Sequence, residues 1–264
     1  MDKLRHLSIL TLGLVVSLSC AEPPTASDDL SAQAARGGKK ASFALQFDAA
    51  QGTETPDAND LDLGPTFTFE AWVKPFNATG GIQHIVSKWG SGTDASYNFG
   101  IRSGPVQMNT RAEGANSVNV GLTTLQDNVW QHVAATFDNG EVRLYINGEL
   151  DNVIPGARVP QNSATVVSLG RQKALSGFIG QQYDGIMDEV RIWSTARSQR
   201  EIQKNMNKKL NLKRLPAGLI AYWQLDEGSG DIASDASGSG HDMRLGDAVG
   251  SDAADPAWVS PGKP

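Results

Sequence analysis

A chain of 264 residues with 29 acidic and 23 basic side chains carries a formal charge of -6. That balance argues against non-specific binding to nucleic acid or to an anionic membrane surface. The length allows one or two domains, and 28 glycines among short runs of Trp, Phe, Val and Thr suit an all-β fold rich in turns.

Residues 1–19 read as a signal peptide. Lys3, Arg5 and His6 make a basic start, and Leu7 to Ser19 is an apolar run too short to span a bilayer as a stable helix. Cys20 is the single cysteine, so it has no partner for an internal disulfide. Its position resembles the lipobox of bacterial lipoproteins, although Ser17-Leu18-Ser19-Cys20 carries Ser where that motif has Leu. The resemblance implies cleavage before Cys20 and lipidation of its thiol; the alternative is an ordinary secretory signal. Residues 21–40, with Pro23-Pro24, Asp28-Asp29 and Gly37-Gly38-Lys39-Lys40, show no hydrophobic periodicity and read as a disordered tether.

From residue 41 to the end a single domain is expected. Phe43, Leu45 and Phe47 alternate with small or polar residues. Phe67, Phe69, Ala71 and Val73 share one strand face, and Thr68, Glu70, Trp72 and Lys74 the other. Two further alternating runs follow, Val133-Ala135-Phe137 and Val142-Leu144-Ile146. Asp138-Asn139-Gly140 and Asn147-Gly148 supply hairpin turns, because Asn and Gly accept positive φ. In Gly185 to Trp193, Val190 and Ile192 face inward, and the same parity carries Ile186 and Asp188 to the buried side. An acid there needs a cation or backbone donors. Ser198 and Glu201 form a capping box, with Ile202, Met206 and Leu210 at helical spacing, so a helix is expected over about 197–210. Closing strands are expected over about 217–260. Half-buried antiparallel strands of this kind imply two packed sheets.

Five segments in order carry a resemblance: Phe69 to Pro75, Ile85 to Lys88, Trp130 to Ala134, Leu144 to Glu149, and Gly185 to Trp193. Together with Leu219 to Gly230 they are similar to the bacterial laminin-G-like, concanavalin-A-like jelly-roll domains. The resemblance implies an all-β, two-sheet antiparallel jelly-roll sandwich with one short helix. It also implies an extracellular, calcium-stabilised binding module. In relatives of this sandwich an aspartate opening a late strand ligates structural Ca2+; by motif that is Asp188, with Asp48 as second ligand. Capping of backbone N–H groups is the competing reading of Asp188.

The laminarinase-like glycoside hydrolases share the sandwich, but their Glu-x-Asp-x-x-Glu pattern is absent here. Asp188 and Glu189 are adjacent, which aims them at opposite faces of a strand. The expected role is therefore non-catalytic binding or adhesion, with a glycan or an extracellular protein as ligand. A glycosidase and a purely structural envelope lipoprotein are the alternatives. Trp89 lies in a glycine-rich stretch outside any alternating run, with Tyr97 and Asn98 near it, so these three are the candidate ligand-binding residues. The expected location is the bacterial cell envelope, as an outer-membrane lipoprotein, or the secreted fraction. Contact with membrane would come only through the lipid anchor, and no nucleic-acid partner is expected.

The anchor has a direct test. Cys20→Ser should move the protein from the membrane fraction to the soluble one, read by detergent partitioning; unchanged partitioning would remove the lipid.

Overall fold

The computed structural model describes residues 41–48, 50–90 and 94–263; Cys20 and the segments around it lie outside these. Strands β1 (Ala44–Phe47) and β2 (Thr53–Thr55) precede a 3-10 turn at Asn59–Leu61. Then come β3 (Thr66–Pro75), β4 (Ile82–Trp89), β5 (Ala95–Arg102), β6 (Pro105–Ala112) and β7 (Ala115–Thr124). A second meander holds β8 (Gln131–Asp138), β9 (Glu141–Ile146) and β10 (Glu149–Ile154). Short strands β11 (Val167–Leu169), β12 (Gln172–Lys173) and β13 (Ile179–Gly180) lead to the long β14 (Gly185–Trp193). Helix α1 (Gln199–Asn205), β15 (Leu219–Trp223), β16 (Ile232–Ala233), β17 (Met243–Leu245) and β18 (Ala257–Val259) complete the fold.

Two antiparallel eight-stranded sheets form a sandwich. The first runs β10-β9-β8-β3-β14-β1-β18, with β15 also paired to β14. The second runs β16-β17-β2-β11-β4-β5-β6-β7. The core between them is aromatic at its centre. Phe67 stacks on Phe137 at 4.9 Å and Phe69 on Phe99 at 5.6 Å. These rings come from β3, β8 and β5, on the faces that alternation assigns to the interior.

The outer face of the first sheet is also buried. Thr68, Glu70 and Trp72 on β3 and Arg191 and Trp193 on β14 lie beneath α1 and the segments around it. Burial pushes the Glu70 carboxyl up, but contact with His132 and the charges of Arg191 and Arg197 outweigh it and hold it below its ordinary range. Arg197 Nε and His132 Nε2 each stand 3.4 Å from a Glu70 oxygen. Arg191 Nη2 donates to Glu189 Oε2 at 2.5 Å and to the Lys208 carbonyl at 2.7 Å, and Nη1 donates to the Asn205 carbonyl. Trp72 Nε1 donates to the Met206 carbonyl at 2.6 Å.

These donors explain where α1 stops. The helix ends at Asn205 rather than near Leu210, because carbonyls at its C-terminal end are taken by the sheet beneath. Its start is as expected: the Ser198 capping box is formed in both directions. Ile202 packs onto Ala134 and Tyr145, while Leu210 packs on Trp193 and Tyr222.

The parity expected for β14 is corrected by a bulge. Asp188 pairs with Trp72 and Arg191 with Glu70, so Glu189 and Val190 together oppose Ala71 alone. Glu189 takes φ of 54°, the left-handed conformation that absorbs the extra residue. Met187, Val190 and Ile192 therefore enter the core, and Asp188 turns to the outer face. Asp188 is still buried, because the 257–263 segment and the residues after α1 cover that face.

Arg191→Ala would take the cation from Glu189, which keeps only the Tyr222 hydroxyl, and a donor from the Asn205 and Lys208 carbonyls. We expect a loss of about 3–5 kcal/mol in urea denaturation, the range for breaking one partner of a buried ion pair. A loss under about 1 kcal/mol would mean that the cluster does not hold this layer together.

Candidate functional site

The outer face of the second sheet is polar where its inner face is aromatic. On β5, Tyr97, Phe99 and Ile101 point into the core, so Asn98, Gly100 and Arg102 point away from it. Antiparallel pairing sets Gln107 beside Gly100, Asn109 beside Asn98, and Val118 beside Asn109. A pocket of about 190 Å³ opens over these strands, and Trp89, His84, Gln172 and Gln181 help to wall it. Gly100 has no side chain because a Cβ there would stand 2.0 Å from the Gln83 carbonyl oxygen.

The floor of the pocket is a ladder of hydrogen-bonded side chains. Gln107 Oε1 accepts from Arg102 Nε at 2.9 Å and from Asn109 Nδ2 at 3.0 Å. Asn109 Nδ2 also reaches Asn98 Oδ1 at 3.0 Å, and Asn109 Oδ1 accepts the Asn119 backbone N–H. Asn98, Gln107 and Asn109 are buried, so their amides are held in place before any ligand arrives. Asn98 Nδ2 has no protein partner among the described residues. Burial, with the nearby Arg102 charge, pushes His84 down to about 3. Its imidazole is neutral at ordinary pH, with Nδ1 3.1 Å from Ser87 Oγ. The pocket thus offers donors and acceptors in fixed directions beside one indole. That combination binds polyhydroxylated molecules, whose hydroxyls pair with amides and whose C–H faces lie on aromatic rings.

The structure separates the three candidate ligand residues. Trp89 is the last residue of β4, paired with Ala95 and half-buried, rather than part of a loop. Its side chain walls the pocket, as does that of Asn98. Tyr97 is corrected: it is fully buried, and its hydroxyl donates to the Leu61 carbonyl at 3.0 Å. Neighbours on one strand face opposite ways, so Tyr97 and Asn98 do not serve one site. His84, Arg102, Gln107 and Asn109 were missed. Their signal was available as polar alternation in Asn98-Gly100-Arg102 and Gln107-Asn109-Arg111, read on the face away from the aromatic residues.

The sequence model for the concanavalin A-like lectin and glucanase superfamily matches residues 47–203. The chain belongs to this superfamily. Among solved structures, a candidate carbohydrate-binding protein from Bacteroides ovatus superposes with a TM-score of 0.61 at 20% identity, over 84% of this chain and 61% of that one. The CBM40 module of the Ruminococcus gnavus IT-sialidase, solved with α2,3-sialyllactose, superposes with a TM-score of 0.51 at 17% identity, over 61% of this chain and 96% of that one. At these identities the likeness is one of fold. A search of curated proteins found no match.

The superfamily member described here does not bring Asp48 and Asp188 together. β1 pairs with β14 so that Phe47 faces Gly185, which puts Asp48 level with Asp184. Asp188 lies four residues further along β14, roughly 13 Å away at strand rise. Both Asp188 oxygens accept backbone N–H groups, from Glu189 and from Lys263, each at 2.8 Å. No group of three or more His, Cys, Asp or Glu side chains is arranged for a metal among the described residues. The expected Asp48–Asp188 calcium pair does not fit this geometry; Asp188 is a cap that ties the 257–263 segment to the sheet.

Burial raises the Asp188 carboxyl to about 7, and the Lys263 N–H only partly opposes this. A carboxyl raised on folding binds more protons folded than unfolded between 3.8 and about 7, so its contribution to stability falls as pH rises through that window. His84, pushed down to about 3, has the opposite slope over much of this window, so Asp188 is read by difference: from about pH 4 to about pH 7 the urea midpoint of Asp188→Asn should rise relative to that of the parent. Equal slopes in the two proteins would mean that Asp188 titrates normally.

Proposed function

We propose that the chain is a non-catalytic glycan-binding module and that the amide-lined pocket over β4–β7 is its site. One observation carries this reading. The pocket holds Trp89 beside Asn98 and Asn109, whose amides are pre-paired with each other and, beneath them, with Gln107. Preorganised amides lower the ordering cost that weakens binding to flexible polar surfaces. The carbohydrate-binding descriptions of the Bacteroides ovatus protein and of the sialidase module support the same reading. The lining residues contain no Asp or Glu, so the pocket lacks the two carboxylates that glycoside hydrolysis uses. A lipid on Cys20 and the tether that follows would display the module outside the cell and free it to reach polymeric glycans.

A glycan array probed with the purified protein, followed by calorimetry on the strongest ligand, tests this. Trp89→Ala should weaken binding at least about tenfold. Because Trp89 is half-buried, its stability loss should stay below the ~3–5 kcal/mol of a core tryptophan. An array without binders, or full affinity in Trp89→Ala, would sink the site.

A further inference from the structure

We infer that the pocket selects glycans carrying an acidic group, carboxylate or sulfate, and that Arg102 reads the acid. The inference rests on the glycan-binding reading above. The chain has 29 acidic residues, yet none is among those lining this pocket, and Arg102 is the one formally charged side chain that is.

The fully buried basic side chains Lys88, Arg171 and Arg191 are matched to acids: Lys88 to Asp57 and Asp62, Arg171 to Asp247, Arg191 to Glu189. Arg102 has no carboxylate partner among the described residues. Its hydrogen bond goes from Nε to Gln107 Oε1, a neutral amide that leaves the positive charge uncompensated. That bond fixes the guanidinium plane and leaves the Nη atoms for a ligand. A planar fork with two N–H groups matches the paired oxygens of a carboxylate or sulfate. Arg102 is half-buried beside a neutral His84, and among the described residues lining the pocket no acid cancels its charge.

Long-range steering works the other way. A net charge of -6 repels an anionic polymer, so selection must act at contact distance. The division of labour is then defined. Trp89 takes a sugar face, Asn98 and Asn109 take hydroxyls, and Arg102 takes the acid at the end of the pocket where β5 leaves the sheet.

The test uses an array of matched pairs, each an acidic glycan and its neutral parent, with carboxylated and sulfated arms, for example lactose, 3′-sialyllactose and 3′-sulfolactose. Acidic members should bind at least about tenfold more tightly than their parents, and added salt should weaken only the acidic members. Arg102→Gln should bring the ratio of acidic-member to parent affinity down to about one, and Arg102→Lys should keep part of the preference. A difference between the two acidic arms tells carboxylate from sulfate. Equal binding of acids and parents, or a preference that survives Arg102→Gln, overturns this inference and leaves the glycan site standing. An array with no binders overturns both. Should Arg102→Gln fail to fold, the salt response of the parent protein decides.

Discussion

Glu70 sits fully buried on the outside of a β-sheet, and the architecture follows from neutralising it there. An unpaired carboxylate at such a depth costs several kcal/mol, roughly, after relaxation. Arg191 and Arg197 supply the compensating charge, one from the neighbouring strand and one from the entry to α1. Arg197 also lies over the Trp193 ring at 3.9 Å, and Arg191 over Tyr222 at 5.0 Å. Each arginine thus lays its apolar plane on an aromatic ring while its charge faces an acid, Glu189 for Arg191 and Glu70 for Arg197. The layer made by α1 and the residues after it is held by these contacts together with the packing of Ile202 on Tyr145 and of Leu210 on Trp193 and Tyr222.

Covering one outer face leaves the other free. The first sheet is largely covered by α1, the residues after it and residues 260–263, whose Lys263 lies over Trp72 at 3.9 Å. The second sheet keeps an outward row of amides and one indole. Its edge is also managed. Asp151 accepts the N–H groups of Leu122 and Thr123 on β7, so that part of the edge strand does not present bare donors to another chain. The pocket and the capped edge thus sit on the same sheet, one on its outer face and one along β7.

The chemistry of the two faces is opposite in kind. Under α1, full charges are buried and matched, which serves a single packed arrangement. In the pocket, neutral amides are paired among themselves, with spare donor capacity at Asn98 Nδ2. Amides cost less to bury than charges and give direction without strong pull. Such a site suits hydroxyl recognition of moderate affinity, and one unmatched guanidinium at its end adds selectivity.

Much of the sandwich was legible in the sequence because period-two alternation and Asn-Gly turns are local signals. Phe67-Phe69-Ala71-Val73 entered the core as its pattern dictates, and the Ser198 capping box formed as read. Asp188 was misplaced because one bulge residue, Glu189, inverts parity, and nothing in Asp188-Glu-Val-Arg marks the left-handed turn. Tyr97 was misassigned because proximity in sequence was taken for a shared face, whereas strand neighbours point apart. Sequence by itself determined which residues alternate, where the turns lie, and which superfamily the pattern matches. Only the tertiary structure decided which outer face stays open and which side chains meet there. That depends on where α1 and the last strands dock, and docking is set by contacts between residues more than a hundred positions apart, such as Glu70 with Arg197.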